Sequence, residues 1–223
     1  MRILLLNPNS SEDITQKIKK AAQKYIGNGV EIEVATTIHG PAFIETAYDE
    51  MVAAKESLKE LKKREESYDA AVICCFADPG LTEAKECLKK PVVGMLEASV
   101  LAASLFSSRL SIISSCDWKS ISFFIRKISS YGMQQKLASV RYIDTGVLGV
   151  TEEAIEKLKK QIEKCIYKDG AGAVLLGCAA FSNMSADLSK EFGIFVTDGI
   201  GPSIGIAKMM IEYQIIEGGN QSV

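Results

Sequence analysis

The chain has 223 residues, of which 47% are hydrophobic and 24% charged, and its formal net charge is -2. This length can bury a sizeable core in one large domain or two small ones, and the absence of a basic block excludes the usual nucleic-acid partner. No charged-then-apolar leader opens the chain and no apolar run nears the roughly 20 residues that span a bilayer. We therefore expect a soluble cytoplasmic protein without a membrane partner.

The first half alternates strand and helix patterns. An apolar strand over residues 3–6 runs into Asn-Pro-Asn-Ser, where Ser10 and Asp13 have the spacing of a capping box. A helical stripe from Ile14 to Tyr25 follows, then a strand over Glu31–Thr36 and a helix over 48–66. The alternation predicts parallel sheets with right-handed crossovers.

The stretch over 72–90 combines a buried strand, a pair of adjacent cysteines and a turn into a helix. Asp78 and Pro79 are predicted to cap and open that helix. Cys75 then lies between a strand end and a helix start, where open α/β sheets bind ligands. Consecutive strand residues point to opposite sides, so only one of Cys74 and Cys75 should face this crevice.

The second half repeats this plan. After a short strand over 91–95 and a small-residue helix over 97–106, strands are predicted over 109–115 and 138–143, and an amphipathic helix over 151–168. Residues 173–181 then repeat the buried strand with a cysteine, Cys178, at its end. Cys75 and Cys178 are separated by about 100 residues, as are Arg2 and Arg109, which is typical of two similar halves. We predict an α/β protein with two small sheet domains.

Six cysteines and one histidine limit the chemistry that the chain can perform. Without an export signal the cysteines are expected to be reduced thiols. No Cys-x-x-Cys pair occurs and His39 alone cannot complete the usual Cys/His zinc sets, so no metal site is expected. Two thiols in one cleft can act as base and acid, removing a proton from one face of a carbon and returning one to the other. A racemase that needs no cofactor works in this way. The alternative is that these cysteines only fill the hydrophobic core.

Five motifs resemble the Asp/Glu/hydantoin racemase superfamily, and within it the hydantoin and allantoin racemases. They are LLNPNSS at 5–11, GPAFIETAYDE at 40–50, CFADPGL at 75–81, PVVG at 91–94 followed by Glu97-Ala98, and LGCAAF at 176–181. The resemblance implies that Cys75 and Cys178 are the acid/base thiols. It also implies two pseudo-symmetric Rossmann-like domains, each a small parallel sheet flanked by helices, with the active site in the interdomain cleft. The final helix returns to the first domain, giving domains of 1–95 with 198–223 and of 96–197. No cofactor and a homo-oligomer are implied as well.

Differences within the motifs bear on the substrate. Where relatives that act on free aspartate or glutamate follow their cysteines with Asn-Thr and Thr-His, this chain has Phe76-Ala77 and Ala179-Ala180. This favours a small cyclic amide or ureide, such as a 5-substituted hydantoin or allantoin, over a free amino acid. The predicted substrate-binding residues, chosen as hydrogen-bond donors or as apolar contacts, are Asn7, Asn9, Ser10, Phe43, Ile44, Phe76, Ala77, Ser114, Ser115 and Ala179.

Three alternatives stay open at this point. One is an amino-acid racemase of the aspartate/glutamate type, and a second is an enzyme similar to arylmalonate decarboxylase, because stabilising an enolate serves that reaction too. The third is a ligand-binding or thiol-sensing protein on the same scaffold. Retention of both cysteines argues against the decarboxylase.

Overall fold

The computed structural model describes residues 1–27, 29–145, 151–178, 181 and 183–216. It divides into two compact units, one formed by Met1–Met95 with the chain from Ile200 onward and the other by Leu96–Gly199. Each unit contains one four-stranded parallel sheet.

The first unit begins with seven alternating elements. These are β1 (Arg2–Asn7), α1 (Glu12–Ala22), β2 (Glu31–Thr36), α2 (Ala47–Lys63), β3 (Ala70–Ile73), α3 (Leu81–Cys87) and β4 (Val92–Gly94). The sheet order is β2-β1-β3-β4. Residues of β1 pair with both neighbours, with Leu6 opposite Ile73 of β3.

The second unit repeats this arrangement. After α4 (Met95–Phe106) come β5 (Leu110–Ser114), α5 (Lys119–Ser130), β6 (Leu137–Tyr142), α6 (Glu152–Tyr167), β7 (Ala173–Leu176), α7 (Ser185–Phe192) and β8 (Phe195–Thr197). The sheet order is β6-β5-β7-β8, with Ile113 opposite Leu176. The last helix, α8 (Ile200–Ile216), belongs to the first unit and packs on β3, β4 and α1. The predicted α/β fold with two Rossmann-like sheet domains is confirmed.

Burial explains why these segments form a sheet core. The central strands β1, β3, β5 and β7 are buried nearly throughout, as continuous apolar runs predict for parallel strands covered on both faces. The helices supply the cover through one apolar stripe, for example Ile14, Ile18 and Ala21 of α1. Among the described residues, no helix combines the length and apolarity that crossing a membrane requires.

Two predicted helix starts were wrong. The α1 cap is Ser11, whose hydroxyl accepts from the Ile14 N–H, because the Ser10 hydroxyl instead donates to the Pro41 carbonyl at 3.4 Å. Helix α3 begins at Leu81 after Gly80, which adopts a left-handed conformation, so Asp78 and Pro79 precede it. The Asp78 side chain is buried and packs against Gly94, and so it does not cap α3.

Candidate active site

The turn after β3 presents one accessible side chain, the thiol of Cys75. Cys75 is half-buried, whereas all the remaining residues from Ala70 to Pro79 are buried. The turn is closed by the Asp78 N–H, which donates to the Cys75 carbonyl at 2.9 Å. The Ala77 N–H lies 3.4 Å from Cys75 Sγ, and a donor at this position stabilises a thiolate. Cys75 is therefore suited to act as a base.

Cys74 has the opposite environment. Its side chain is only 2% exposed, and its thiol lies 3.8 Å from the Val72 carbonyl. Burial raises the pKa of the Cys74 thiol well above its usual range, and the neighbouring Cys75 and Asp78 raise this pKa further. Cys74 is thus kept protonated and inaccessible, in keeping with the alternation of side chains along a strand.

The second unit places Cys178 at the corresponding position after β7. The N–H of Gly177 donates to the Ile113 carbonyl at 2.8 Å, as the N–H of Cys74 donates to the Leu6 carbonyl at 2.8 Å. The carbonyl of Cys178 then accepts the Phe181 N–H at 3.1 Å. Cys178 is 8% exposed. Each cysteine is thus the second residue beyond the strand and the first residue of a turn.

Asn7 ends β1, the strand that pairs with β3, and the loop that follows carries Asn9 and Ser10. The Asn7 amide nitrogen is fully buried and lies within 3.0 Å of Asn9 Oδ1, the Ser11 carbonyl and Thr15 Oγ1. Its oxygen accepts the Asn9 N–H at 3.3 Å. Asn7 therefore holds the loop together. Asn9 uses its oxygen within the loop, and among the described residues its Nδ2 has no hydrogen-bond partner.

Ser114 and Ser115 lie at the same place in the second unit, at the end of β5. Ser114 Oγ accepts the Cys116 N–H at 3.1 Å, which is the counterpart of the Asn7–Asn9 contact. Ser115 Oγ is buried and has no partner in the described part of the chain. A buried hydroxyl without a partner is uncommon and points to a functional or water contact.

The remaining predicted residues fall into two groups. Phe43 and Ile44 are half-buried in the loop between β2 and α2, whereas Phe76 and Ala77 are buried within the Cys75 turn. Ala179 lies outside the described residues.

All six cysteines are thiols, and the described residues contain no group of three or more His, Cys, Asp or Glu side chains able to hold a metal ion.

Sequence reasoning missed three buried groups. Asp198, after β8, accepts hydrogen bonds from the Asn183 N–H and the Ser185 hydroxyl, and the hydroxyls of Thr37 and Thr145 are buried without partners in the described chain. The only sequence signal for Asp198 is its position beside Gly199 at a strand end. Long-range hydrogen bonding of this kind leaves no local pattern.

Comparison with known proteins places these features in context. A family model described as Asp/Glu/hydantoin racemase matches residues 3–204. A hydantoin racemase from Pseudomonas sp. (strain NS671) is 35% identical over 216 residues, covering 95% of this chain and 86% of that protein. The resemblance predicted from the motifs is confirmed.

Solved structures agree with the sequence relatives. The allantoin racemase from Klebsiella pneumoniae matches with a TM-score of 0.89 and 31% identity, covering 98% of this chain and 89% of that one. The allantoin racemase from Pseudomonas fluorescens matches with a TM-score of 0.90 and 25% identity, covering 96% of this chain and 92% of that one.

Proposed function

Because this chain belongs to the Asp/Glu/hydantoin racemase family, we propose that it is a cofactor-independent racemase of 5-substituted hydantoins or of a related cyclic ureide such as allantoin. The predicted enzyme class, an isomerase, is confirmed. The substrate class is supported by relatives named hydantoin racemase and allantoin racemase that are similar over nearly the whole chain. The homo-oligomer and the cytoplasmic location stay predictions.

The observation that carries the proposal is the equivalence of the two cysteine turns. A racemase needs one acid/base group on each face of the stereocentre, because the proton leaves from one side and returns to the other. The two units each contain a parallel sheet with a central strand that leads into a cysteine and a turn, and these two cysteines can supply the two groups. We assign these roles to Cys75 and Cys178.

The proposed reaction has two proton transfers. One cysteine, as thiolate, removes the proton from the ring carbon C5, and the electron pair of the C–H bond moves into the adjacent carbonyl to form an enolate. The other cysteine, as thiol, then donates its proton to the opposite face of C5. The product has inverted configuration, and the two cysteines have exchanged protonation states. The opposite enantiomer therefore reacts by the same steps in reverse.

Hydrogen-bond donors near each turn are proposed to stabilise the enolate. The Asn9 Nδ2 and the Ser115 hydroxyl are the best supported of the predicted contacts, since neither has a partner among the described residues. A donor aimed at developing negative charge is worth about 10² to 10³ in rate. Asn7, Ser10 and Ser114 act in this proposal by fixing the loops around these donors.

Apolar side chains are proposed to bind the 5-substituent. Phe43 and Ile44 are half-buried at the loop after β2 and retain exposed apolar surface. Phe76 and Ala77, the two central residues of the Cys75 turn, are buried and are proposed to limit the access of water to the thiol. Ala179, the residue after Cys178, stays a predicted substrate contact.

Isotope exchange tests this function against its alternatives. The purified chain is incubated in D₂O with single enantiomers of several 5-substituted hydantoins, allantoin, aspartate and glutamate, and with an arylmalonate. We expect deuterium at C5 and loss of optical rotation with a hydantoin or allantoin. Exchange with aspartate or glutamate alone would indicate an amino-acid racemase, and CO₂ release a decarboxylase. Binding of a ureide without exchange would overturn the enzymatic proposal.

A further inference from the structure

A buried carboxylate holds the loop that follows Cys178. Asp198, the residue after β8, is 4% exposed. Its Oδ2 accepts the Asn183 N–H at 3.0 Å and the Ser185 hydroxyl at 3.3 Å. These two hydrogen bonds hold Asn183 and Ser185 to the end of β8. Helix α7, which starts at Ser185, has no side-chain cap at its own N-cap residue.

Backbone hydrogen bonds connect the neighbouring residues to the carbonyl of Cys178. The Met184 N–H donates to the Phe181 carbonyl at 3.2 Å, and the Phe181 N–H donates to the Cys178 carbonyl at 3.1 Å. Phe181 and Cys178 pack in the same core cluster. Asn183 has φ of 77°, a left-handed conformation that is uncommon for residues other than glycine. Such a conformation persists where the surrounding structure holds it in place. The hydrogen bond from the Asn183 N–H to the Asp198 carboxylate supplies that restraint.

The Cys75 turn has a corresponding aspartate. Asp78 is 2% exposed, and its N–H donates to the Cys75 carbonyl. A Cβ added to Gly94 would lie 2.5 Å from both Cγ and Oδ2 of Asp78, so the carboxylate lies directly against the last residue of β4. Each unit therefore has a buried aspartate that connects the end of its fourth strand with the cysteine turn itself, in the case of Asp78, or with residues two and four beyond the turn, in the case of Asp198. In the first unit the aspartate is in the turn, and in the second it follows the strand.

We propose that Asp78 and Asp198 are positioning residues, each holding one of the two reactive thiols. The inference rests on the proposed racemase function and adds a residue role to it. In a two-thiol racemase each enantiomer gives its proton to a different cysteine. A displacement of about 1 Å costs about 10² in rate, so loosening one turn should slow proton removal from one enantiomer and spare the other.

Enantiomer-resolved exchange tests this role. Initial rates of deuterium entry from D₂O are measured for each enantiomer of a hydantoin that the wild type racemises, with Cys75→Ala and Cys178→Ala as references. Asp198→Ala should lose about 100-fold for the enantiomer that Cys178→Ala also fails to exchange, and less than about twofold for the other. Asp78→Ala should show the opposite preference. Asp198→Asn, which keeps an acceptor oxygen, should recover most of the lost rate.

A purely structural role gives a different result. Equal losses for both enantiomers in Asp198→Ala, or no loss, would overturn the proposal. If circular dichroism shows that Asp198→Ala is unfolded, Ser185→Ala decides, because it removes the hydroxyl that donates a hydrogen bond to the Asp198 carboxylate. It should show the same enantiomer preference with a smaller loss, and no preference would contradict the role.

A second readout does not depend on the substrate. Mass spectrometry follows alkylation of Cys178 and Cys75 by iodoacetamide. In Asp198→Ala a loosened turn should raise the labelling rate of Cys178 about tenfold and leave that of Cys75 unchanged. Unchanged labelling of Cys178 would count against the positioning role even if no hydantoin or ureide were a substrate, whereas selective labelling without turnover would contradict only the proposed reaction.

Discussion

Cys75 and Cys178 occupy equivalent positions in the two sheets. Each follows a residue whose N–H bonds the carbonyl of the neighbouring central strand, at 2.8 Å in both units, and each begins a turn closed by an N–H three residues later. Chain duplication explains why two such turns exist. The different burial of Cys74 explains why only one cysteine of the adjacent pair matches Cys178.

Thiol accessibility predicts an order of alkylation. Cys87 is exposed and Cys75 half-buried, whereas Cys74 and Cys165 are buried, and burial raises the pKa of Cys165 to about 11. Because thiolates are the reactive species, iodoacetamide at neutral pH should label Cys87 and Cys75 and leave the other two unmodified. Peptide mapping by mass spectrometry measures the order. Labelling of Cys74 ahead of Cys75 would contradict the description of the turn.

A substrate should change this order at one position. A bound hydantoin or allantoin is expected to protect Cys75 and to leave Cys87 reactive, since Cys87 lies at the end of α3 on the surface. Cys87→Ser should keep full racemase activity and serves as the control. Equal protection at both positions would indicate a general effect of the ligand on the reagent.

Gly94→Ala tests the close packing between the Cys75 turn and β4. The new methyl group would lie 2.5 Å from the Asp78 carboxylate and from Leu81 Cδ2, so one of them must move. Overpacking of this kind costs about 1–3 kcal/mol, and the displaced turn should also reduce racemase activity. Urea denaturation measures the first effect and a racemisation assay the second.

Gly205→Ala is the matched control for that substitution. Gly205 lies within α8, and an added Cβ would meet nothing within 4 Å. Alanine in a helix is favoured over glycine by about 1 kcal/mol, so this variant should be slightly more stable and fully active. Similar losses in both variants would show that the close contact at Gly94 does not matter.

Asn7→Ala should weaken the loop that follows β1. It leaves the partners of a buried amide, among them Thr15 Oγ1 and the Ser11 carbonyl, without one of their hydrogen bonds. Removal of a buried partner costs about 1–3 kcal/mol, and a disordered loop should lower kcat as well. Thermal melting and steady-state kinetics measure the two effects. Gln16→Ala, on the exposed face of α1, should change stability by less than about 0.5 kcal/mol.

The ion pair between Arg141 and Asp169 predicts part of the acid sensitivity. Two hydrogen bonds of 2.6 and 2.7 Å join the guanidinium to the carboxylate, and they hold the pKa of Asp169 below its usual value. A carboxyl whose pKa is lower in the folded state stabilises the fold above its unfolded pKa of about 3.9, and loses that contribution as pH falls through the folded pKa. Asp169→Asn should therefore lower stability at pH 7 and flatten its decline below about pH 4.

Urea denaturation across pH 2–7 measures this contribution. Glu153→Gln is the control, because the Glu153–Lys157 pair lies on the exposed surface of α6, where a single ion pair contributes little to stability. The Asp169 variant should differ from wild type mainly above pH 4. A constant difference down to pH 2 would mean that packing, and not the charge, is responsible.

Local patterns were sufficient to predict most elements. β2 occupies the predicted residues Glu31–Thr36, and α6, predicted over 151–168, spans Glu152–Tyr167 with Thr151 as its N-cap. Both depend on residues that are close in sequence. The repeat of a strand followed by cysteine also placed Cys75 and Cys178 at matching strand ends before the sheets were known.

Contacts that are distant in sequence could not be predicted. Ser10 does not cap α1 because it bonds Pro41, which lies in the loop after β2. Asp78 does not cap α3 because its carboxylate is buried against Gly94. Asp198 reaches Asn183 and Ser185 only when β8 lies beside β7. In each case a tertiary contact takes a polar group that a local pattern assigns elsewhere.

Cys74→Ala separates the reactive cysteine from its neighbour. It removes a buried side chain, so we expect a stability loss of about 1 kcal/mol. Because the Cys74 thiol is kept protonated, racemase activity should stay close to that of the wild type. Activity assays with Cys74→Ala and Cys75→Ala in parallel compare two changes of the same size at adjacent positions. Loss of activity in Cys74→Ala alone would reverse the assignment.

Deuterium exchange by Cys75→Ala and Cys178→Ala tests the two-thiol mechanism most directly. Each variant is given the separate enantiomers of one substrate in D₂O, and exchange at C5 and inversion are followed by NMR and polarimetry. We predict that neither variant racemises, and that each still exchanges one enantiomer without inversion, the two variants retaining opposite enantiomers. Racemisation by either variant at the wild-type rate, or retention of the same enantiomer by both, would contradict the assignment of one cysteine to each face.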